Sequence, residues 1–107
     1  MKVTFILGLP GSGKTEFAKS LIDDRTKFID DYIDEVLDND FNYVITSADA
    51  VFAKKEQIIK KFGCEIDFIA FENDLPACWD NLVRRGDDRI SFNHLTKWSE
   101  CYDPIQY

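Results

Sequence analysis

The sequence predicts an α/β fold built on a parallel sheet, and three observations carry that expectation. Short apolar or β-branched runs alternate with stretches of helical periodicity along the chain, the pattern of strands joined by right-handed helical crossovers. The first run, Val3-Thr4-Phe5-Ile6-Leu7, is apolar without alternation, as suits a central strand covered on both faces. It leads directly into Gly8-Leu9-Pro10-Gly11-Ser12-Gly13-Lys14-Thr15, a segment of the form G-x-x-x-x-G-K-T with a strand before it and a helix after it.

Taken in order, residues 2–7 form the first strand. Residues 14–22 read as a helix with Phe17, Ala18, Leu21 and Ile22 on one face and Glu16, Lys19 and Ser20 on the other, ended by Asp23-Asp24-Arg25. Residues 26–29 are a short second strand, and Asp30-Asp31 stands at its carboxyl end, where open α/β sheets present their ligand crevice. A second helix over 32–37 turns Ile33, Val36 and Leu37 inward, and Asp38-Asn39-Asp40 is turn chemistry. Residues 41–46, rich in β-branched and aromatic side chains, are the third strand. Ser47 can cap a helix over 48–62 with Val51, Phe52, Ile58, Ile59 and Phe62 inside and Lys54, Lys55, Lys60 and Lys61 outside, stopped by Gly63. After a fourth strand over 65–71, Asn73 or Asp74 caps a helix over 75–85, with Pro76 tolerated in its first turn. Its buried stripe is Leu75, Cys78, Trp79, Leu82 and Val83, and Gly86 ends it. The loop Gly86-Asp87-Asp88-Arg89 precedes a last helix over 91–102, with Phe92, Leu95, Trp98 and Tyr102 on one side and Pro104 closing the tail.

A chain of 107 residues with 45% hydrophobic composition has the size and content of a single globular domain, 1–107, with one core. No apolar run approaches the roughly 18 to 20 residues of a membrane span, so a soluble intracellular protein is expected. Cys64, Cys78 and Cys101 are widely spaced and form no C-x-x-C pair, which argues against a disulfide framework or a zinc site. Much of the net charge of −7 comes from residues 23–40, where eight acids face only Arg25 and Lys27. Such a surface repels long nucleic acid, whose affinity rests on neutralising many phosphates, but does not exclude a short 5′ end held by a few local arginines.

The glycine-rich segment carries the chemistry. Gly8, Gly11 and Gly13 allow left-handed backbone, so amides of the Gly8, Pro10, Gly11, Ser12 and Gly13 loop can wrap a di- or triphosphate while the following helix points its positive end at the same anion. Lys14 supplies a mobile positive charge for the terminal phosphates. Thr15 supplies a hydroxyl oxygen for Mg²⁺, a hard cation that keeps several waters. ATP as substrate and Mg²⁺ as cofactor are therefore expected. The remaining conspicuous residues read as structural: His94 as a surface or edge histidine, and Trp79, Phe92 and Trp98 as core rather than a base-stacking platform.

Residues 8–15, Asp30-Asp31-Tyr32, the strand ending at Thr46 with Asp49 behind it, and Glu72-Asn73-Asp74 onward to Arg89, including Cys78, Asn81, Arg84, Arg85, Gly86 and Asp87, together resemble the small phosphate-loop kinases that include polynucleotide kinase, especially short versions encoded by bacteriophages. The resemblance implies a phosphate-loop kinase-like sheet of about four strands in the order 2-3-1-4, flanked by helices, and a cytoplasmic setting, the host's if the chain is phage-encoded. It implies that Asp30 accepts the proton of an attacking hydroxyl, that Thr15 with Asp49 holds Mg²⁺, and that Arg85 or Arg89 stabilises the transferred phosphoryl, with Lys14 on the donor. Beside these roles, Asp30 or Asp31 can cap the second helix, Asp49 can serve a helix dipole, and the arginines can solvate a surface. The family places an arginine for the acceptor phosphate just after Asp-Asp-Tyr, where this chain has Ile33. The expected activity is phosphoryl transfer from ATP to a nucleoside, nucleotide or nucleic-acid 5′-hydroxyl. The alternatives are an ATP-dependent binding or regulatory protein and a plain NTPase without acceptor.

Overall fold

A computed structural model describes residues 1–30, 37–47 and 54–107. Four strands, β1 (Val3–Leu7), β2 (Thr26–Ile29), β3 (Asn42–Thr46) and β4 (Ile66–Ala70), form one sheet in the order β2-β3-β1-β4, with every neighbour pair parallel. The registers Val3↔Tyr43, Val3↔Ile66 and Thr26↔Asn42 bring the carboxyl ends of β2, β3 and β1 side by side. Helices α1 (Lys14–Lys19), α2 (Lys55–Phe62), α3 (Leu75–Arg84) and α4 (Phe92–Cys101), then a 3₁₀ turn over Pro104–Gln106, complete the described elements.

The unalternating run of β1 has its physical reason in two cores. Val3, Phe5 and Leu7 pack with Tyr43, Ile45, Ile58, Cys78, Leu82, Leu95 and Tyr102, a cluster to which α2, α3 and α4 contribute. Ile6 packs in the other cluster with Val44 and with Ala18 of α1. A strand with helices on both faces needs an apolar residue at each position.

Helix ends depart from the sequence expectation for local reasons. The helix expected over 14–22 ends at Lys19, and the amides of Ser20, Leu21 and Ile22 bond three residues back, to Phe17, Ala18 and Lys19 carbonyls. The Ser20 hydroxyl also donates to Phe17 O, at 2.5 Å, a local bond that competes with the helical ladder. Of the expected inward face only Ala18 is buried; Phe17, Leu21 and Ile22 are exposed. Within the helix expected over 48–62, α2 starts at Lys55, because the Lys54 backbone is extended (ψ 151) and its N–H donates to Gln57 Oε1 at 3.0 Å. The expected helix over 32–37 falls largely, and the segment 48–53 wholly, outside the described residues. In α3 the buried stripe is narrower than expected. Cys78 and Leu82 are fully buried, whereas Val83, turned about 140° around the helix from Cys78, is 58% exposed. Asp74 is the α3 cap, accepting from Ala77 N–H at 3.1 Å. Asn73 instead clamps the far end of α4: its amide donates to the Ser99 and Tyr102 carbonyls and its oxygen accepts from the Ser99 hydroxyl. Cys64, Cys78 and Cys101 are free thiols.

Candidate functional site

The loop from Gly8 to Thr15 leaves the central strand and is fixed to α3 as firmly as to its own neighbours. Ser12 N–H bonds Leu9 O at 3.1 Å, closing the turn, and Leu9 and Pro10 are buried beneath it. Gly11 has φ +84, and a Cβ there would stand 2.4 Å from Cys78 O, so both torsion and space require glycine. Asn81 Nδ2 donates to Gly11 O at 2.9 Å, a contact across seventy positions of sequence. Gly13, with φ +90, caps α1, and the first helical bond runs from Phe17 N–H to Gly13 O, so the amides of Lys14, Thr15 and Glu16 precede the ladder.

Two polar groups of this loop stand out. Lys14 is only 8% exposed, with Nζ 3.4 Å from Leu9 O. A buried lysine is rare unless its charge is used or compensated. Ser12 Oγ is buried and makes no hydrogen bond among the described residues, and a Cβ on Gly8 would lie 2.6 Å from it. Burying a hydroxyl without a partner is costly, so the loop as it stands is incomplete in hydrogen bonds.

One strand beyond the neighbouring one, Asp30 follows β2 directly and is exposed at the residue level, but one of its oxygens is committed: the fully buried Thr46 hydroxyl donates to Asp30 Oδ1 at 2.6 Å. Thr46 ends β3, the strand between Asp30 and the loop. Thr15 is half-buried in the first turn of α1. Asp31, Ile33 and Asp49 lie outside the described residues, and among the described residues no group of three or more His, Cys, Asp or Glu side chains converges.

The arginines separate into two kinds. Arg84 pairs with Asp80 one turn back, at 2.8 Å and well exposed, a solvated helix pair. Arg85 and Arg89 meet at Asp87. Gly86 (φ +66) ends α3 in a Schellman turn, with Gly86 N–H bonded to Val83 O and Asp87 N–H to Leu82 O. Asp87 Oδ1 then accepts from Arg89 N–H (3.2 Å) and Nε (3.0 Å), Oδ2 from Arg89 Nη2 (2.8 Å), and Arg85 Nη2 stands 3.7 Å away. The side-chain and backbone bonds from Arg89, with the charges of both arginines, hold the Asp87 carboxyl down at about 2. Residues 85–89 line an open depression of about 400 Å³.

Behind the strand ends, the Tyr102 hydroxyl donates to Phe71 O and lies 3.4 Å from Leu7 O, the carbonyl just before the loop. Burial pushes this phenol above its ordinary range. Burial, then the nearby Asp74 charge, likewise push up the Cys78 thiol under the loop, which makes it an unreactive core group. Trp79 packs edge-to-face on Phe92 with ring centroids 5.2 Å apart, and His94 is exposed. Sequence reasoning named Thr46 and Asp87 among the residues that carry the resemblance but gave neither a role, and it missed Tyr102 as part of this region. The first role could have been found from a hydroxyl closing an apolar strand, the second from the Asp-x-Arg spacing of a turn; Tyr102 had no local signal.

No protein-family model matches the chain, and no curated protein matches it significantly. Among solved structures it is similar to a chain of the Pnkp1/Rnl/Hen1 RNA repair complex, with TM-score 0.75 and 16% sequence identity over 94% of this chain and 43% of that one. The chain thus spans less than half the length of that neighbour. At this identity the likeness shows the fold, and the strand order is the one implied by the resemblance to phosphate-loop kinases. No helix among the described residues is long and apolar enough to cross a membrane.

Proposed function

We propose that the chain is a phosphotransferase of the phosphate-loop kinase type, moving the terminal phosphoryl group of ATP to the hydroxyl of a nucleoside, a nucleotide or a short nucleic-acid 5′ end. The observation that carries this reading is the loop itself, where a nearly buried lysine and a buried, unpartnered serine hydroxyl sit on a left-handed glycine backbone at the end of the central strand. An anion accepting from Ser12 Oγ would supply the partner that this hydroxyl lacks, and the Lys14 ammonium carries the charge that suits it.

In this reading the amides of Gly11, Gly13 and Lys14 and the Ser12 hydroxyl, with the Lys14 ammonium, hold the β- and γ-phosphates. Thr15 and Asp49 offer the hard oxygens that suit Mg²⁺, which when bound neutralises phosphate charge. Asp30 takes the proton from the attacking hydroxyl, and the Thr46 bond fixes one carboxylate oxygen so that the other is presented for that work. Arg85 and Arg89 meet the charge that develops on the transferred group. The fold shared with a chain of an RNA repair complex is compatible with nucleotide or nucleic-acid partners.

The test combines binding with transfer. Millimolar Mg-ATP should raise the melting temperature, and Lys14→Met should remove most of the rise, because a ligand at a hundred times its Kd stabilises by about 2.7 kcal/mol. With γ-labelled ATP and a mixture of nucleosides, nucleoside monophosphates and 5′-hydroxyl oligonucleotides, label should appear on at least one acceptor class. Asp30→Asn should slow that transfer by about a hundredfold or more while ATP binding stays intact. Stabilisation by ATP without any labelled product would overturn the kinase reading and leave a nucleotide-gated binding protein. The lack of stabilisation by ATP, ADP or GTP would overturn nucleotide binding itself.

A further inference from the structure

Arg85 and Arg89 carry like charges, four positions apart across the end of α3, yet both converge on one carboxylate. The side chain of Asp87 is 10% exposed, while those of Arg85 and Arg89 are 56% and 81% exposed, so the acid sits beneath and the guanidinium groups stand outward over it. The acid is itself fixed by the backbone. Its N–H is tied to Leu82 O by the Schellman turn, and its Oδ1 accepts the Arg89 N–H. The first anchor leads back to the loop at Gly11, against which Leu82 packs closely and to which Asn81, one helical turn before Arg85, donates its amide.

We propose that Asp87 is a positioning residue that holds Arg85 and Arg89 as one fork, so that both reach the phosphoryl group together in the transition state. This rests on the phosphotransferase reading above and deepens it. Two unrestrained arginines repel each other and lose rotamer freedom when they bind an anion; a carboxylate between them removes the repulsion and pre-orders both side chains. The Arg89 edge formed by Nε and Nη2 is engaged in two parallel bonds, the geometry in which a guanidinium is held most rigidly. The deeply ionised state of Asp87 keeps the fork assembled at neutral pH. Net charge across the three groups stays positive, so a phosphoryl group is still attracted.

Asp87→Asn keeps the shape and the bond from Arg89 N–H while removing the charge. Calorimetry would measure Mg-ADP binding with and without aluminium fluoride, a mimic of the phosphoryl group in flight, in the full chain. In wild type, fluoride should tighten Mg-ADP binding. In Asp87→Asn, Mg-ADP affinity should stay within about twofold while the tightening falls about tenfold or more, and kcat should fall with KM for ATP unchanged. Asp88→Asn, which removes the same charge from the adjacent position, should leave the tightening as it is. Adding Asp87→Asn to the Arg85→Ala/Arg89→Ala double variant should change nothing further, because the acid then has nothing to position. Equal tightening in wild type and Asp87→Asn would overturn the proposal. So would tighter binding in Asp87→Asn, which would make the acid a competitor for the arginines, or an equal loss in Asp88→Asn. Absence of Mg-ADP binding in wild type would instead overturn the phosphotransferase reading beneath it.

Discussion

Thr46 Oγ1 donates to Asp30 Oδ1 across the ends of adjacent strands, and the bond acts on orientation. It selects one rotamer of an exposed carboxylate. Thr46→Val keeps the volume and β-branching and removes the donor. Because Asp30 reaches solvent, the stability cost is expected to stay near 1 kcal/mol, with the larger effect on turnover, about tenfold in kcat. Thr46→Ser should recover most of it. Steady-state transfer beside the ATP-induced melting shift checks this; a Val variant as active as wild type would show that Asp30 needs no tether. Little of this was legible beforehand. Asp30 could be placed at a strand end from the pattern alone, but its partner is sixteen residues away in sequence and becomes a neighbour only once β2 and β3 pair. The arginines were legible as a cluster, with Arg85 and Arg89 set apart from Arg84 because they border the loop, whereas the carboxylate of Asp87 that joins those two depends on the folded turn.

At the scale of elements, the glycine loop and α3 form one unit. The motif asks for glycine at 13 and leaves position 11 open, yet torsion alone favours glycine at both, since both have positive φ. Their surroundings differ: the Gly11 Cβ position meets Cys78 O at 2.4 Å and Leu82 at 3.0 Å, while nothing lies within 4 Å of the Gly13 position. Gly13→Ala should therefore cost only left-handed strain, about 1–2 kcal/mol. Gly11→Ala adds a clash with helix backbone that no rotamer relieves, and about 3–5 kcal/mol is expected from strain and overpacking together. Chemical denaturation of the two variants measures the difference directly, and equal losses would mean that α3 yields easily and does not brace the loop. Strands were read from the sequence to within a residue at each end, because runs of β-branched and aromatic residues bounded by turn chemistry leave a strong signal. Helix faces were read less well. The exposed Phe17, Leu21 and Val83 show that periodicity gives a face's direction but not which part of it another element covers.

Taken whole, the order β2-β3-β1-β4 gathers Asp30, Thr46 and the glycine loop along one edge of the molecule, with β2 at the rim. The chain before and after β2 is acidic: Asp23, Asp24, Asp30, Asp38 and Asp40 are all exposed, within a protein of net charge −7. Asp23, Asp24, Asp38 and Asp40 precede β2 and β3, at the end of the strands opposite Asp30, so an acceptor at Asp30 meets them only at a distance. For a nucleoside or a few nucleotides the repulsion is small, since few charges come within the roughly 10 Å over which exposed charges act at 0.1 M salt. A long strand extends many phosphates over a molecule of net charge −7, acids at the far ends of β2 and β3 included, and affinity for long strands ordinarily comes from basic surfaces that release counterions. We therefore expect kcat/KM to be highest for nucleosides, mononucleotides or short 5′-hydroxyl oligonucleotides and to fall with strand length, with a shallow dependence on salt. Transfer rates along a length series at two salt concentrations, run on wild type beside Asp30→Asn, test this. A kcat/KM that climbs with length and drops steeply with salt would reveal a basic track able to hold nucleic acid, and would assign the acceptor to long strands in place of small molecules.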